Sequence, residues 1–220
     1  LFRSDLRDRA RRGDDAGRDA LGVAVAHHHG ERDDAHGDDG GRDRAGDGAE
    51  DRADEDHRIG QAAAYRAEIR DTLVAADPQS WVVVSPSMSR SMQIRATRAA
   101  CESGAERIWN ASFADDEDAG RRGRCDMLVR DPDGGYIPVL VVNHKVTDPG
   151  SGAITTPFTS WAPALDPTRK VRPQLRDQLA AVHVHRLLAR IGQAGVSARA
   201  GVIGFGAEVM LVHDLAAVET

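Results

Sequence analysis

From residue 59 onward, apolar and polar positions alternate in patterns that predict discrete elements. QAAAYRAEIRDTLVAA places Ala63, Ile69, Leu73 and Val74 near helical spacing, and Asp77-Pro78 ends the run. WVVVS is a short β-prone stretch. Ser87 or Ser89 can cap a second helix, SRSMQIRATRAACES, which Gly104 ends. Residues 125–130 read as a strand, 131–135 (DPDGG) as a hairpin turn, and 136–146 as a long β-branched strand apolar enough to be central in a sheet. Residues 147–170, rich in Pro, Gly, Ser and Thr, read as an irregular insertion. VRPQLRDQLAAVHVHRLLARI predicts an amphipathic helix with Leu175, Leu179, Val182 and Leu187 along one side. GVIGF and EVMLVHDL predict a closing pair of strands. The expected class is α/β, a mixed β-sheet flanked by helices.

Composition changes this picture at the N-terminus. Residues 1–58 hold 11 arginines, no lysine and 17 Asp and Glu, so the whole charge of −6 falls there. The other 162 residues balance 18 basic against 18 acidic groups. The first stretch has one aromatic, Phe2, and one apolar patch, LGVAVA. Such a chain buries too little surface to offset its conformational entropy, so 1–58 is expected to be a disordered low-complexity tail ahead of a domain at 59–220. Its composition also resembles GC-rich coding sequence read from too early a start or in another frame. His27, His28 and His29 offer at most adventitious metal binding. Two cysteines, Cys101 and Cys125, are too few for a disulfide framework or a four-thiolate zinc site. No apolar run approaches membrane-spanning length and no signal-peptide pattern opens the sequence, so no membrane partner and a cytoplasmic setting are expected.

The hairpin carries the candidate chemistry. Asp126 stands on its first strand, and Asn143, His144 and Lys145 on its second. Alternation along a continuous strand would put Asn143 and Lys145 on one face, near Asp126, and His144 on the other. An acid, a neutral oxygen donor and a lysine on one face suit Mg²⁺ or Mn²⁺ bound to a phosphodiester. Of 29 basic residues only two are lysines, Lys145 and Lys170. A lysine within an apolar strand is costly unless it has a partner. The plainer reading of Asp126 and Lys145 is a structural ion pair across a hairpin.

These residues resemble the core of the PD-(D/E)XK nucleases, in their RecB-like branch. There an Asp is followed, after a β-turn, by Glu-X-Lys; here the match is Asp126, then Asn143-His144-Lys145. TRAACESGAERIWNASF with GRCDMLVR is similar to the family's helix–strand–strand lead-in. DQLAAVHVHRLL resembles its following helix with a Gln motif, at Gln178, and GVIGFGAEVMLVHDL its closing strands. The resemblance covers roughly residues 60–215 and rests on order and spacing. It implies a restriction-endonuclease-like sheet, and a metal-dependent deoxyribonuclease of repair or recombination. It also implies Mg²⁺ (or Mn²⁺) on Asp126 and Asn143, charge stabilisation or water positioning by Lys145, and substrate or water orientation by Gln178.

The departures are as informative. Asn143 replaces the family Glu and brings no charge, which weakens a hard-cation site. Val182 replaces a tyrosine, with His183 beside it. Asp148 or Glu68 is a candidate compensating carboxylate. Arg121, Arg122 and Arg124, then Arg169, Lys170 and Arg172, form two basic clusters, read either as phosphate contacts or as solvated loops. Trp81, Trp109, Trp161 and the two cysteines read as packing residues, and His183 and His185 as helix-face residues. No GxxxxGK[ST] sequence occurs, so a helicase or repair motor is expected only as a separate chain. The rival expectation is a catalytically degenerate nuclease fold that binds nucleic acid or protein without cutting.

Overall fold

The computed structural model describes residues 47–218, with side chains from His57 onward. Of the tail expected over 1–58, residues 1–46, with the histidine triplet, lie outside the described residues. The chain divides into two compact units, Leu1–Ala63 and Ala64–Thr220. Helix α1 spans Asp47–Ala76, so helix begins inside the stretch that composition alone reads as unfolded.

In the second unit α1 contributes Tyr65, Ile69 and Leu73, an i, i+4, i+8 stripe that is buried throughout. A short 3-10 turn, Pro78–Ser80, leads into β1 (Trp81–Val83), and α2 (Arg90–Glu102) crosses back to β2 (Arg107–Ser112). Ser89 caps α2, its side chain accepting from Met92 N. Gly104, at φ +71°, turns the chain out of that helix. β3 (Arg124–Arg130) and β4 (Tyr136–Val141) form the expected hairpin. Its turn is closed by Gly134 N donating to Asp131 O at 3.0 Å and Asp131 N to Gly135 O at 3.0 Å.

The stretch read as an irregular insertion is instead ordered into four short strands, β5 (Thr147–Pro149), β6 (Ala153–Thr156), β7 (Ala164–Asp166) and β8 (Arg169–Val171). Helix α3 (Leu175–Arg190), β9 (Arg199–Ile203) and β10 (Met210–Asp214) complete the fold. The main sheet has eight strands in the order β1-β2-β3-β4-β9-β10-β6-β7, and β5 pairs with β8 in a separate ribbon. Among the named strands of the described residues, β1–β2 and β4–β9 pair in parallel and the others antiparallel. Each of these two pairs is joined through a helix, as parallel pairing requires.

Two clusters fill the two faces. Tyr65, Ile69 and Leu73 of α1 pack with Trp109, Met127, Val139, Val141 and Ile203. On the other face Ala100 and Cys101 of α2 and Val184, Leu187 and Leu188 of α3 pack with Ile108, Phe113, Cys125 and Leu128. Trp109 is core, and Trp81 and Trp161 pack against it, so the tryptophans serve as packing residues. Burial also raises the thiols of Cys101 to about 11 and Cys125 to about 12, as befits inert small hydrophobes.

The phase of α3 differs from expectation. Leu175 and Leu179 are 63% and 51% exposed. The buried stripe runs through Asp177, Ala181, Val184 and Leu188 and begins on a carboxylate. Of the four expected positions Val182 and Leu187 are buried, while Leu175 and Leu179 are not.

Candidate functional site

The sheet is irregular where Asp126 sits. Ile108 and Ala111 face the α2–α3 side while Trp109 faces α1, so the alternation of β2 slips at Asn110. Asn110 takes φ +59°, a left-handed conformation that Asn tolerates better than most residues. Its side-chain amide donates to Val84 O at 2.9 Å. On β3, Cys125 and Met127 likewise face opposite sides, so that strand slips at Asp126. Trp109 pairs with Met127 and Ala111 with Cys125, which sets Asn110 opposite Asp126.

At this slip the Asp126 carboxylate takes a ladder position. Its Oδ2 accepts from Val141 N at 2.9 Å. Its Oδ1 lies 3.2 Å from Nε of Arg66 on α1. The angle at that Nε makes no hydrogen bond, so the contact is one of charge. Both side chains are about a quarter exposed, 29% for Arg66 and 25% for Asp126. Burial pushes the Asp126 carboxyl above its usual range, against the opposing pull of the Arg66 charge and the Val141 N–H.

The second half of the predicted constellation is arranged differently from expectation. β4 ends at Val141 and does not run on to Val146. Met127 pairs with Val139, which places Asp126 opposite Leu140, an apolar residue three positions before Asn143. Asn143 and His144 form a bend, and Asn143 and Lys145 are both exposed. The alternation itself holds through the bend, with His144 turned inward and its neighbours outward. Among the described residues no hydrogen bond or ion pair links Asp126 to Asn143 or Lys145. Lys145 does not face a buried acid.

The bend is set by a close crossing of two loops. His144 O accepts from Phe205 N at 2.8 Å, and Tyr65 Oη donates to Gly204 O at 2.7 Å. A Cβ on Gly204 would lie 2.7 Å from a Val146 methyl and 2.9 Å from His144 O, so only glycine fits there. His144 Nε2 then reaches Asp177 Oδ2 at 2.9 Å. Asp177 is 7% exposed and sits in the first turn of α3, where the helix dipole favours a carboxylate. The side-chain amide of Gln178, half-buried, lies 3.4 Å from Nδ1 of His213 on β10. Burial lowers the His213 pKa, with Asp177 pulling the other way. The structure thus brings His144 and Gln178 together around Asp177 and His213. Sequence reasoning missed Asp177, His213 and Arg66. The legible signals were a charge on the apolar stripe of α3 and a histidine inside MLVHDL; nothing local marked Arg66.

The basic clusters are largely neutralised. Arg121 pairs with Asp116 at 3.0 Å and Arg122 with Asp115 at 3.5 Å. Arg169 pairs with Asp166 at 3.0 Å and Glu208 at 3.6 Å, and Arg172 with Asp148 at 3.3 Å. Arg124, Lys145 and Lys170 are exposed and form no ion pair among the described residues. His183 Nε2 lies 2.9 Å from Arg122 O and Val182 is buried, so neither adds to the cluster around Asp177.

A divalent cation on Asp126 and Asn143 does not fit these donors. Mg²⁺ and Mn²⁺ select several oxygen ligands converging on one point. Here both Asp126 oxygens are engaged, Leu140 stands opposite, and the compensating candidate Asp148 is held by Arg172. Among the described residues no three His, Cys, Asp or Glu side chains group to hold a metal. Among them, too, no helix is long and apolar enough to cross a membrane. No family model matches the chain, and no curated protein or solved structure matches it.

Proposed function

We propose that this chain is a nuclease-like fold that holds nucleic acid without cutting it, a degenerate member of the PD-(D/E)XK type. The element succession α2-β2-β3-β4-α3-β9 supports the fold relationship, since it follows the order the resemblance implies. The observation that carries the loss of cutting is the environment of Asp126. Its two oxygens meet a backbone N–H and a guanidinium, and the residue facing it across the hairpin is leucine. Support for a polyanionic ligand comes from Lys145 and Lys170. Both are exposed and without acidic partners among the described residues; Lys145 follows the bend at the end of β4 and Lys170 lies in the adjoining ribbon.

The test is equilibrium binding of a labelled DNA oligonucleotide to wild type and to Lys145→Glu/Lys170→Glu at low salt. The reading expects the double variant to bind at least about tenfold more weakly, the loss of two phosphate contacts and the gain of two repulsions. Equal binding by both proteins, or none by wild type, overturns it.

A further inference from the structure

The donors around Asp126 do not suit a divalent metal, and a side-chain cation lies beside it. We propose that the Arg66 guanidinium is the permanent cation of Asp126, a built-in replacement for the metal that the resemblance implies. The inference rests on the degenerate-site reading but not on nucleic-acid binding.

Charge balance favours it. Asp126 is one carboxylate on a face lined by Met127, Val139 and Val141, and one guanidinium neutralises it. A divalent ion there would retain an uncompensated positive charge in partly apolar surroundings. Placement favours it too. Arg66 sits beside Tyr65 and three residues before Ile69, both buried, and Tyr65 Oη is fixed on Gly204 O. The backbone that carries Arg66 is therefore held by packing on either side of it. Chemistry adds a third reason: a guanidinium is weakly hydrated and stays charged at all accessible pH, so it can remain half-buried where an ammonium or hydrated metal would pull toward water. The pair consequently ties α1 to β3 at the slip in the sheet.

The experiment compares Mn²⁺ binding and thermal melting, with and without millimolar Mn²⁺, for the full chain as wild type, Asp126→Asn, Arg66→Met and Arg66→Met/Asp126→Asn. Methionine keeps the length of the side chain and removes its charge. The expectation is that wild type and Asp126→Asn give the same Mn²⁺ isotherm and no Mn²⁺-dependent melting shift. Arg66→Met should melt about 4–8 °C lower than wild type, still without a Mn²⁺ response, and the double variant, which has no unpaired carboxylate there, should melt above Arg66→Met. A wild-type Mn²⁺ site abolished by Asp126→Asn overturns the proposal, and so does a folded Arg66→Met protein that melts with wild type. Should Arg66→Met fail to fold, the wild-type and Asp126→Asn isotherms still decide. None of these readouts involves DNA, so failure here is separable from failure of nucleic-acid binding.

Discussion

At the scale of the residue, Asp126 and His213 carry opposite pH signatures. The folded-state pKa of Asp126 is raised, so the folded protein binds its proton more tightly than the unfolded chain does. Its contribution is greatest below the unfolded carboxylate value of 3.8 and is lost as pH rises through the folded value. Wild type should therefore gain stability relative to Asp126→Asn as the solution is acidified, which urea melts across the acid range will read. Asp126→Ala should cost more than Asp126→Asn, about 2 kcal/mol in all, because it orphans the Val141 N–H as well as Arg66; the partial exposure of the pair keeps this below the 3–5 kcal/mol of a fully buried one. His213 behaves in reverse. Its pKa is lowered by burial from 6.5, so its contribution is present above that value and lost as pH falls toward the folded one. Replacing it by Phe should flatten the stability profile on the acid side of neutrality.

At the scale of the element, the hairpin shows what local sequence can specify. DPDGG predicts the turn because its glycines supply positive φ, and Gly135 does so at +77°. A Cβ there would also lie 2.2 Å from Ala194 O. Gly135→Ala should cost more than about 2 kcal/mol, combining a strained φ with a backbone clash, and should lower the denaturant midpoint without changing the slope. The helix signals at Ser89 and Gly104 were legible for the same reason: caps act within a few residues. The end of β4 was not. Val141, Val142 and Val146 favour a strand, but Asn143 and Lys145 do not, and the close crossing of Gly204 over His144 and Val146 coincides with the stop. That early stop moved Asn143 and Lys145 off the predicted face. The strands β5 to β8 were hidden too, being three or four residues long and fixed by partners far along the chain, as Thr156 is by Met210.

At the scale of the whole molecule, the class was legible and the site only in part. An α/β sheet with helices follows from the order of periodic segments. Asp126 meets Arg66 and the Val141 N–H, and Gln178 meets His213. Their partners, Arg66 and His213, lie 60 and 35 positions away and no local pattern reports them. Charge shows the same limit. The basic clusters looked available in sequence, yet Arg121, Arg122, Arg169 and Arg172 are spent on Asp116, Asp115, Asp166 and Asp148. Within the two clusters few cations remain for phosphate, so if these clusters carry the contact the logarithm of DNA affinity should fall with log salt at a slope of only about −2 to −3. A steeper slope would mean that the paired arginines release their acids on binding.

The central claim is that this fold holds DNA and leaves it whole. The most direct test incubates a labelled DNA oligonucleotide with the protein at saturating concentration in Mg²⁺, then in Mn²⁺, and resolves the strand on a denaturing gel. Full-length strand recovered from a complex that demonstrably formed is the predicted result. Shortened product that appears only with the metal, and vanishes in Asp126→Asn, would contradict it.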